Sequence, residues 1–484
     1  EMQPLRLRVA AAAAPRLALR RYFSSAAAPP RICIVGAGPS GFYTAKYVLQ
    51  KNEEATVSIV ERLPTPYGLV RFGVAPDHQP TKSVMSDFST TLDNPRCSFH
   101  GNIEVGVDVS IPKLMSAYDA VVLAYGASGD RALGVPGEEL AGVRSAREFV
   151  NWYNGHPDFA SADFDELLKT TTKCVVIGQG NVAIDVSRIL LSPLSHLKTS
   201  DICEHALRAL ETSPIESVSV LGRRGPVQSA FTIKELRELT KLDGVACRIS
   251  QEEVEKGMNQ ASMDEISASR PAKRKFDLLK KVADSEPEPN DKDLNIRFFL
   301  SPTRILEAEG GGGRVGAVEC DVTALEGEAN SQRAEKTGET VKIECDLLLS
   351  SVGYQSHPLP EIPFDSKRNV VPSENGRVVS EDGNCIQGLY VSGWLKRGPT
   401  GIIGTNIPDA KETAAAILED LSEGKLSSDA SETNDPFEVL YQKKSVDIEG
   451  WRRIETVEDD LGQKNGKPRE KIVKWDKLLE IAKD

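Results

Sequence analysis

The chain has 484 residues, of which 40% are hydrophobic, and its 71 acidic against 59 basic side chains give a formal charge of −12. That length calls for two or three domains rather than one core. The acidity disfavours nucleic acid as a partner, and no apolar run approaches the roughly 20 residues of a membrane helix.

The N-terminus departs from the rest. Arg6, Arg8, Arg16, Arg20 and Arg21 lie among Ala and Leu, and Glu1 is the only acid before Glu53. This Arg-rich, acid-poor composition is that of a mitochondrial or plastid transit peptide, and RRYFSSA at 20–26 resembles a mitochondrial processing site cleaved after Phe23, so residues 1–30 read as a mitochondrial transit peptide and linker. Losing residues 1–23 takes the formal charge from −12 to −16.

The first folded unit begins near Arg31. An apolar strand over 32–35 runs into the glycines of ICIVGAGPSG, Gly36, Gly38 and Gly41, and a helix is predicted over 42–51. Strand ATVSIVE follows at 55–61 and ends in Glu61, 20 residues after Gly41. A carboxylate at that distance binds both hydroxyls of a ribose. GLVRFGVAPDH at 68–78 is rich in Gly and Pro yet apolar, which suits a loop packed against something other than water. A further strand ends at DAVVLAYGA, 119–127.

The second unit starts near Arg131. CVVIGQGNVAID at 174–185 repeats the strand–glycine–helix pattern with Gly178, Gly180 and Ala183. In each pattern one glycine makes the tight turn and one lets backbone amides approach a pyrophosphate. The last small residue lets helix and strand pack closely. One such pattern is weak evidence; two in the right context are much stronger. They predict two nucleotides held face to face, which suits a flavin reduced by a nicotinamide.

A helical insertion is predicted over 186–213, then strand SVSVLGRRG at 217–225. Where an NAD-specific strand often ends in an acid, this one carries Arg223 and Arg224. Adjacent guanidinium groups can clamp a 2′-phosphate. Residues 250–294 and SSDASETND at 427–435 are polar and read as solvated surface runs, and GGGG at 310–313 reads as a hairpin tip. CDLLLSSVGYQS at 345–356 closes the second unit. A strand then ends at Gly393-Trp394, and PTGI precedes a helix of about 409–421 whose first amides could hold a flavin edge.

None of the eight cysteines forms C-x-x-C or C-x-x-x-x-C. The usual linear iron–sulfur motifs and an active-site dithiol are therefore excluded, and electrons must leave to an external carrier. The six histidines show no metal-ligand spacing, and no metal is predicted.

From about residue 31 onward the chain resembles the mitochondrial ferredoxin–NADP reductases of the adrenodoxin reductase family. The motifs that carry the resemblance are GAGPSGFYTA, PYGLVRFGVAPDH, SAREFVNWYNG, GQGNVAIDVSRILL, GRRGPVQSAFTIKELRE, PFDSK, SGWLKRGPTG and GKPREK. The resemblance implies an α/β fold with two Rossmann-like dinucleotide-binding domains: an FAD domain in two parts, 31–130 and 358–484, and an NADP domain, 131–357, inserted between them. It implies FAD held by Gly36, Ala37, Gly38, Pro39, Ser40, Gly41, Glu61, Leu69, Val105, Trp394, Gly401, Ile402 and Ile403. It implies NADPH held by Gln179, Gly180, Asn181, Val182, Arg223, Arg224, Glu235 and Gly401. His78 and Asp185 become a polar pair near the nicotinamide and flavin. Arg237, Arg270, Lys273, Arg274 and Lys275 become the landing site for an acidic [2Fe-2S] ferredoxin. The implied setting is the mitochondrial matrix, with peripheral attachment to the inner membrane left open. Haem monooxygenases, iron–sulfur cluster assembly and cofactor synthesis are all compatible uses of the electrons.

Overall fold

The computed structural model describes residues 29–286, 292–426, 436–437 and 445–483. Residues 1–28, most of the expected transit peptide and linker, and the polar run 427–435 lie outside the described residues.

Ile32, Cys33, Ile34 and Val35 are all buried, with none of the polar alternation of a half-solvated strand. Such a run belongs inside a parallel sheet covered on both faces. Strand Arg31–Val35 indeed pairs in parallel with Thr56–Glu61 on one side and Ala120–Leu123 on the other. Cys97–Gly101 extends the sheet past Thr56–Glu61. Beyond Ala120–Leu123 comes Cys385–Val391, also parallel, contributed from more than 250 residues downstream. Two short antiparallel strands, Arg377–Val379 and Ser373–Glu374, finish that edge.

The second sheet has six strands, all parallel, in the order Val143–Ser145, Leu347–Ser350, Lys173–Ile177, Ser217–Leu221, Lys292–Arg297 and Val245–Ile249. A three-stranded antiparallel sheet, Leu300–Glu307, Val315–Glu326 and Arg333–Glu344, stands beside it. The four glycines 310–313 turn its first hairpin, all with positive φ. Each large sheet carries one Rossmann-like unit. The chain passes from the first to the second at Gly129–Asp130 and returns at Tyr354–Gln355, and these two passages pair with each other.

One expectation fails. Residues 250–286 are not a solvated excursion: they form helices Gln251–Lys256, Gln260–Ala268 and Arg270–Ala283. Val254, Ile266, Phe276 and Leu279 enter the core of the second unit. The segment is polar overall because only one face of each helix is buried, and on the last helix the apolar residues recur at three and four positions. Residues 292–294, the end of the same excursion, begin the interior strand Lys292–Arg297.

Segment 68–82 of the first unit is held against the second by buried charge. Lys82 donates to both oxygens of Asp201, at 2.7 and 2.8 Å, and Lys471 reaches the same carboxylate at 2.9 Å. All three side chains are at most 5% exposed. Asn154 donates to the carbonyls of Phe72 and Val74 and accepts from Lys82. Burial works against the Asp201 carboxylate, but the two ammonium groups outweigh it and hold it well below the usual range. Desolvation dominates at Lys82, lowering it to about 8.

Removing one member of such a cluster leaves an uncompensated buried charge, at a cost of about 3–5 kcal/mol. Asp201→Asn is therefore expected to lower the urea unfolding midpoint strongly. The Asp201 pKa is depressed on folding, so its contribution is complete above the unfolded value of about 4 and fades as pH falls below it. The gap between wild type and variant should shrink in acid; a gap constant down to pH 3 would refute the charge-based account.

Candidate functional site

A long cleft of about 490 Å³ opens over the carboxyl ends of the first sheet's strands, where ligands of open α/β sheets bind. Gly36, at φ +110, lets the chain turn under the backbone of Ala124 and Tyr125; a Cβ there would stand 2.5 Å from the Ala124 carbonyl oxygen. Gly41 lies behind the wall, where a Cβ would meet the Gly36 oxygen at 2.1 Å. Gly38 differs from both: its φ of −88 suits any residue, and a Cβ would meet nothing within 4 Å. Nothing in the surrounding protein requires a glycine there. Helix Pro39–Lys51 starts there without a side-chain cap, so its first amides remain available to an anion.

Glu61 lines the same cleft and accepts from the amides of Ala37 at 2.8 Å and Leu63 at 3.0 Å. Burial raises its pKa, and those amides oppose the rise. Gly36, Gly38, Pro39, Ser40, Glu61, Leu69, Val105 and Trp394 all line the wall. Gly401, Ile402 and Ile403 do not; they sit on the loop between Arg397 and Asn406, with Ile402 62% exposed, and Asn406 lines the cleft in their place. Arg397 ties that loop down, bonding Thr400, Thr405, Asn406 and Asp409. Trp394 stacks on Tyr354, and its buried Nε1 has no partner among the described residues. An orphaned donor, an open approach at Gly38 and a carboxylate at the strand end together fit an elongated dinucleotide.

The second fingerprint repeats the arrangement. Gly178, at φ +123, lies so close to the Ser351 backbone that a Cβ there would stand 2.2 Å from the Ser351 oxygen. Gly180 faces open space, and helix Asn181–Leu191 begins without a side-chain cap. Segment 230–232 folds across this turn: Ala230 and Phe231 donate to the Gln179 oxygen and Thr232 to Asn181. Arg223 and Arg224 are exposed at the neighbouring strand end. Glu235 is half-buried, and its Oε2 meets no donor among the described residues. The structure thus gathers Gln179, Asn181, Arg223, Arg224 and Glu235 around one turn, although they span 57 residues.

His78 and Asp185 come within 3.9 Å, an ion-pair distance with no hydrogen bond. The hydrogen bond of His78 goes from Nε2 to Glu238, at 2.8 Å, which sequence reasoning missed. Asp185 is instead bonded by Arg188 at 2.8 Å, and Arg188 also makes a two-pronged contact with Asp77 at 2.7 and 2.8 Å. Burial raises the Asp185 pKa against the pull of Arg188 and His78. Glu238 sits on helix Ile233–Leu239, whose motif was visible; only the fold brings it to His78.

Of the five cations expected to receive a partner, Arg237, Arg270, Lys273 and Arg274 are exposed. Lys275 is not free: its Nζ is bonded to the Ser229 carbonyl and lies over the Phe231 ring. It is withdrawn from that surface because its place on the helix turns it inward beside buried Phe276.

Two mostly parallel sheets, each with an uncapped glycine turn at the end of a strand, define an oxidoreductase built on two dinucleotide sites. Residues 30–257 match the family model for pyridine nucleotide-disulphide oxidoreductases. The chain is 46% identical to the mitochondrial NADPH:adrenodoxin oxidoreductase of Arabidopsis thaliana, covering 96% of this chain and 98% of that protein. It is 44% identical to the human protein of that name, covering 95% and 93%. The solved structure of Mycobacterium tuberculosis FprA in complex with NADPH superposes with a TM-score of 0.86 at 38% identity, covering 94% of this chain and all of that one. The chain belongs to the NADPH:adrenodoxin oxidoreductase family.

The glycines separate two failures. Gly38→Val is expected to fold with wild-type circular dichroism yet lose its bound dinucleotide. Gly41→Val is expected to misfold, since the pinned backbone of Gly36 cannot yield. Retention of the nucleotide by Gly38→Val would remove Gly38 from the site.

Proposed function

We propose that this protein takes a hydride from NADPH and passes the electrons singly to an acidic [2Fe-2S] ferredoxin in the mitochondrial matrix. The single observation that carries the reading is the pair of open, uncapped glycine turns, one above each large sheet, with no dithiol motif in the chain to accept the electrons. FAD and NADPH are its cofactors.

The first cleft holds FAD. Glu61 takes the ribose hydroxyls, the amides after Gly38 take the pyrophosphate, and Trp394 Nε1 meets the far end. Bound there, FAD supplies the conversion between a two-electron donor and a one-electron acceptor. Gln179, Gly180, Asn181 and Val182 receive the NADPH pyrophosphate, Arg223 and Arg224 its 2′-phosphate, and Glu235 a hydroxyl of the same nucleotide. Arg188 fixes Asp77 and Asp185 on either side of the junction between units, and Glu238 orients the His78 ring. These groups hold the reacting ends in one geometry, which is the protein's main contribution to a hydride transfer. The domain limits follow: an FAD domain of 31–130 and 358–484 around an NADP domain of 131–357. None of the described helices is long and apolar enough to cross a membrane.

Arg270, Lys273 and Arg274 support the docking reading. They crowd the first turns of helix Arg270–Ala283, which has no acid in its first turn. Cations there oppose the helix dipole at a cost of about 0.3–1 kcal/mol each, so the fold does not favour them. An acidic partner offsets that cost and is steered by it, even though the whole protein is acidic.

Replacing Arg223 and Arg224 with Ala removes charge-assisted contacts worth roughly 1.5–3 kcal/mol each. The KM for NADPH should rise at least about tenfold while NADH kinetics barely change; an equal loss for both would reject the 2′-phosphate assignment. Charge reversal at Arg270 and Arg274 should slow ferredoxin reduction, less so at high salt, and spare NADPH-dependent ferricyanide reduction. Loss of both activities would move the landing site elsewhere.

A further inference from the structure

Helix Arg270–Ala283 buries Phe276 and Leu279 in the core of the second unit. That placement leaves Arg270, Lys273 and Arg274 in water and aims Lys275 at the turn 226–232. Its Nζ donates to the Ser229 carbonyl and stands 5.6 Å from the centre of the Phe231 ring. Arg224 donates to the Gln228 carbonyl, one residue earlier, at 3.3 Å. Ala230 and Phe231, next in the chain, donate to the Gln179 oxygen. One short turn therefore joins Lys275, Arg224 and the second glycine fingerprint.

The charge at this turn is unbalanced. Among the described residues, no carboxylate oxygen lies within 4.0 Å of a side-chain nitrogen of Arg223, Arg224 or Lys275. Burial, and then Arg224, pushes Lys275 down to about 8, against the attraction of Glu265 on helix Gln260–Ala268. Two cations held side by side repel each other until an anion enters between them. A carbonyl and an aromatic face keep the ammonium in place without neutralising it.

We infer that Lys275 is a third cation of the 2′-phosphate pocket and contributes to the choice of NADPH over NADH. This rests on the reading of Arg223 and Arg224 given above. A phosphate dianion arriving beside Lys275 favours its charged form, so binding takes up protons near the pKa of the free protein. Above that pH the ammonium is lost and the preference for the phosphorylated nucleotide weakens.

The test is calorimetric titration of the FAD-loaded protein with 2′,5′-ADP and with 5′-ADP at pH 8, in two buffers of different ionisation enthalpy. Wild type should take up a fraction of a proton approaching about one half with 2′,5′-ADP, beyond any uptake with 5′-ADP. Lys275→Met should bind 2′,5′-ADP about tenfold more weakly, lose that extra uptake and leave 5′-ADP unchanged. Lys275→Arg keeps the charge without titrating, so it should bind tightly with no extra uptake. If Lys275→Met does not fold, the contrast between wild type and Lys275→Arg decides. Equal weakening of both ligands, or no change in either, overturns the proposal provided that Arg223→Ala/Arg224→Ala still weakens 2′,5′-ADP and spares 5′-ADP. If that double variant weakens both ligands equally, or neither, the phosphate assignment itself is wrong.

Discussion

The relative placement of the two units rests on buried charge. Asp77 and Lys82, both just beyond the apolar loop 68–76, reach across to Arg188 and Asp201 in the second unit. Two units with separate cores tend to move against each other. Hydride transfer tolerates little of that, because the reacting atoms must come within about 3–3.5 Å. An apolar contact would resist separation but allow sliding. Forked hydrogen bonds between charged groups fix direction as well as distance. Such clusters contribute little net stability over apolar packing; here their role is orientation, and the nucleotide sites inherit it.

The two fingerprints share a pattern but differ in the last small residue. At Gly41 even a methyl group would collide with the Gly36 carbonyl, whereas the corresponding Ala183 is fully buried and accommodated. The first helix therefore lies closer to its strand than the second does. The open positions, Gly38 and Gly180, behave alike in both. What the repeats have in common is the approach offered to a phosphate; what separates them is packing.

Much of this was legible in the sequence because it depends on local rules. The fingerprints and Glu61 lie at fixed offsets from strands, whereas Arg223 and Arg224 are read from their place at a strand end, since the insertion over 186–213 stretches their spacing from Ala183. The rest depends on contacts between distant segments. Glu238 is one of two acids on its helix, beside Glu235, and nothing local marks it as the partner of His78. Tyr354 and Asn406 line the cleft from the returning chain. Lys275 looked like its neighbours Lys273 and Arg274; one step along a helix separates an exposed cation from one turned inward. The polar composition of 250–286 hid three amphipathic helices, since a narrow apolar stripe barely alters a window's average.

Strand Cys385–Val391 pairs with Ala120–Leu123 in the interior of the first sheet. During synthesis, that interior position stays vacant until residues 385–391 leave the ribosome. All six strands of the second sheet precede it in the chain. The inserted unit can therefore close its sheet while the enclosing unit is still open along one side. Trp394 and Asn406 emerge later still, so the cleft of the first unit gains its final wall last. A truncation or pause after residue 350 would leave a finished second sheet attached to a half-sheet with an unpaired edge, the kind of surface that recruits chaperones or aggregates.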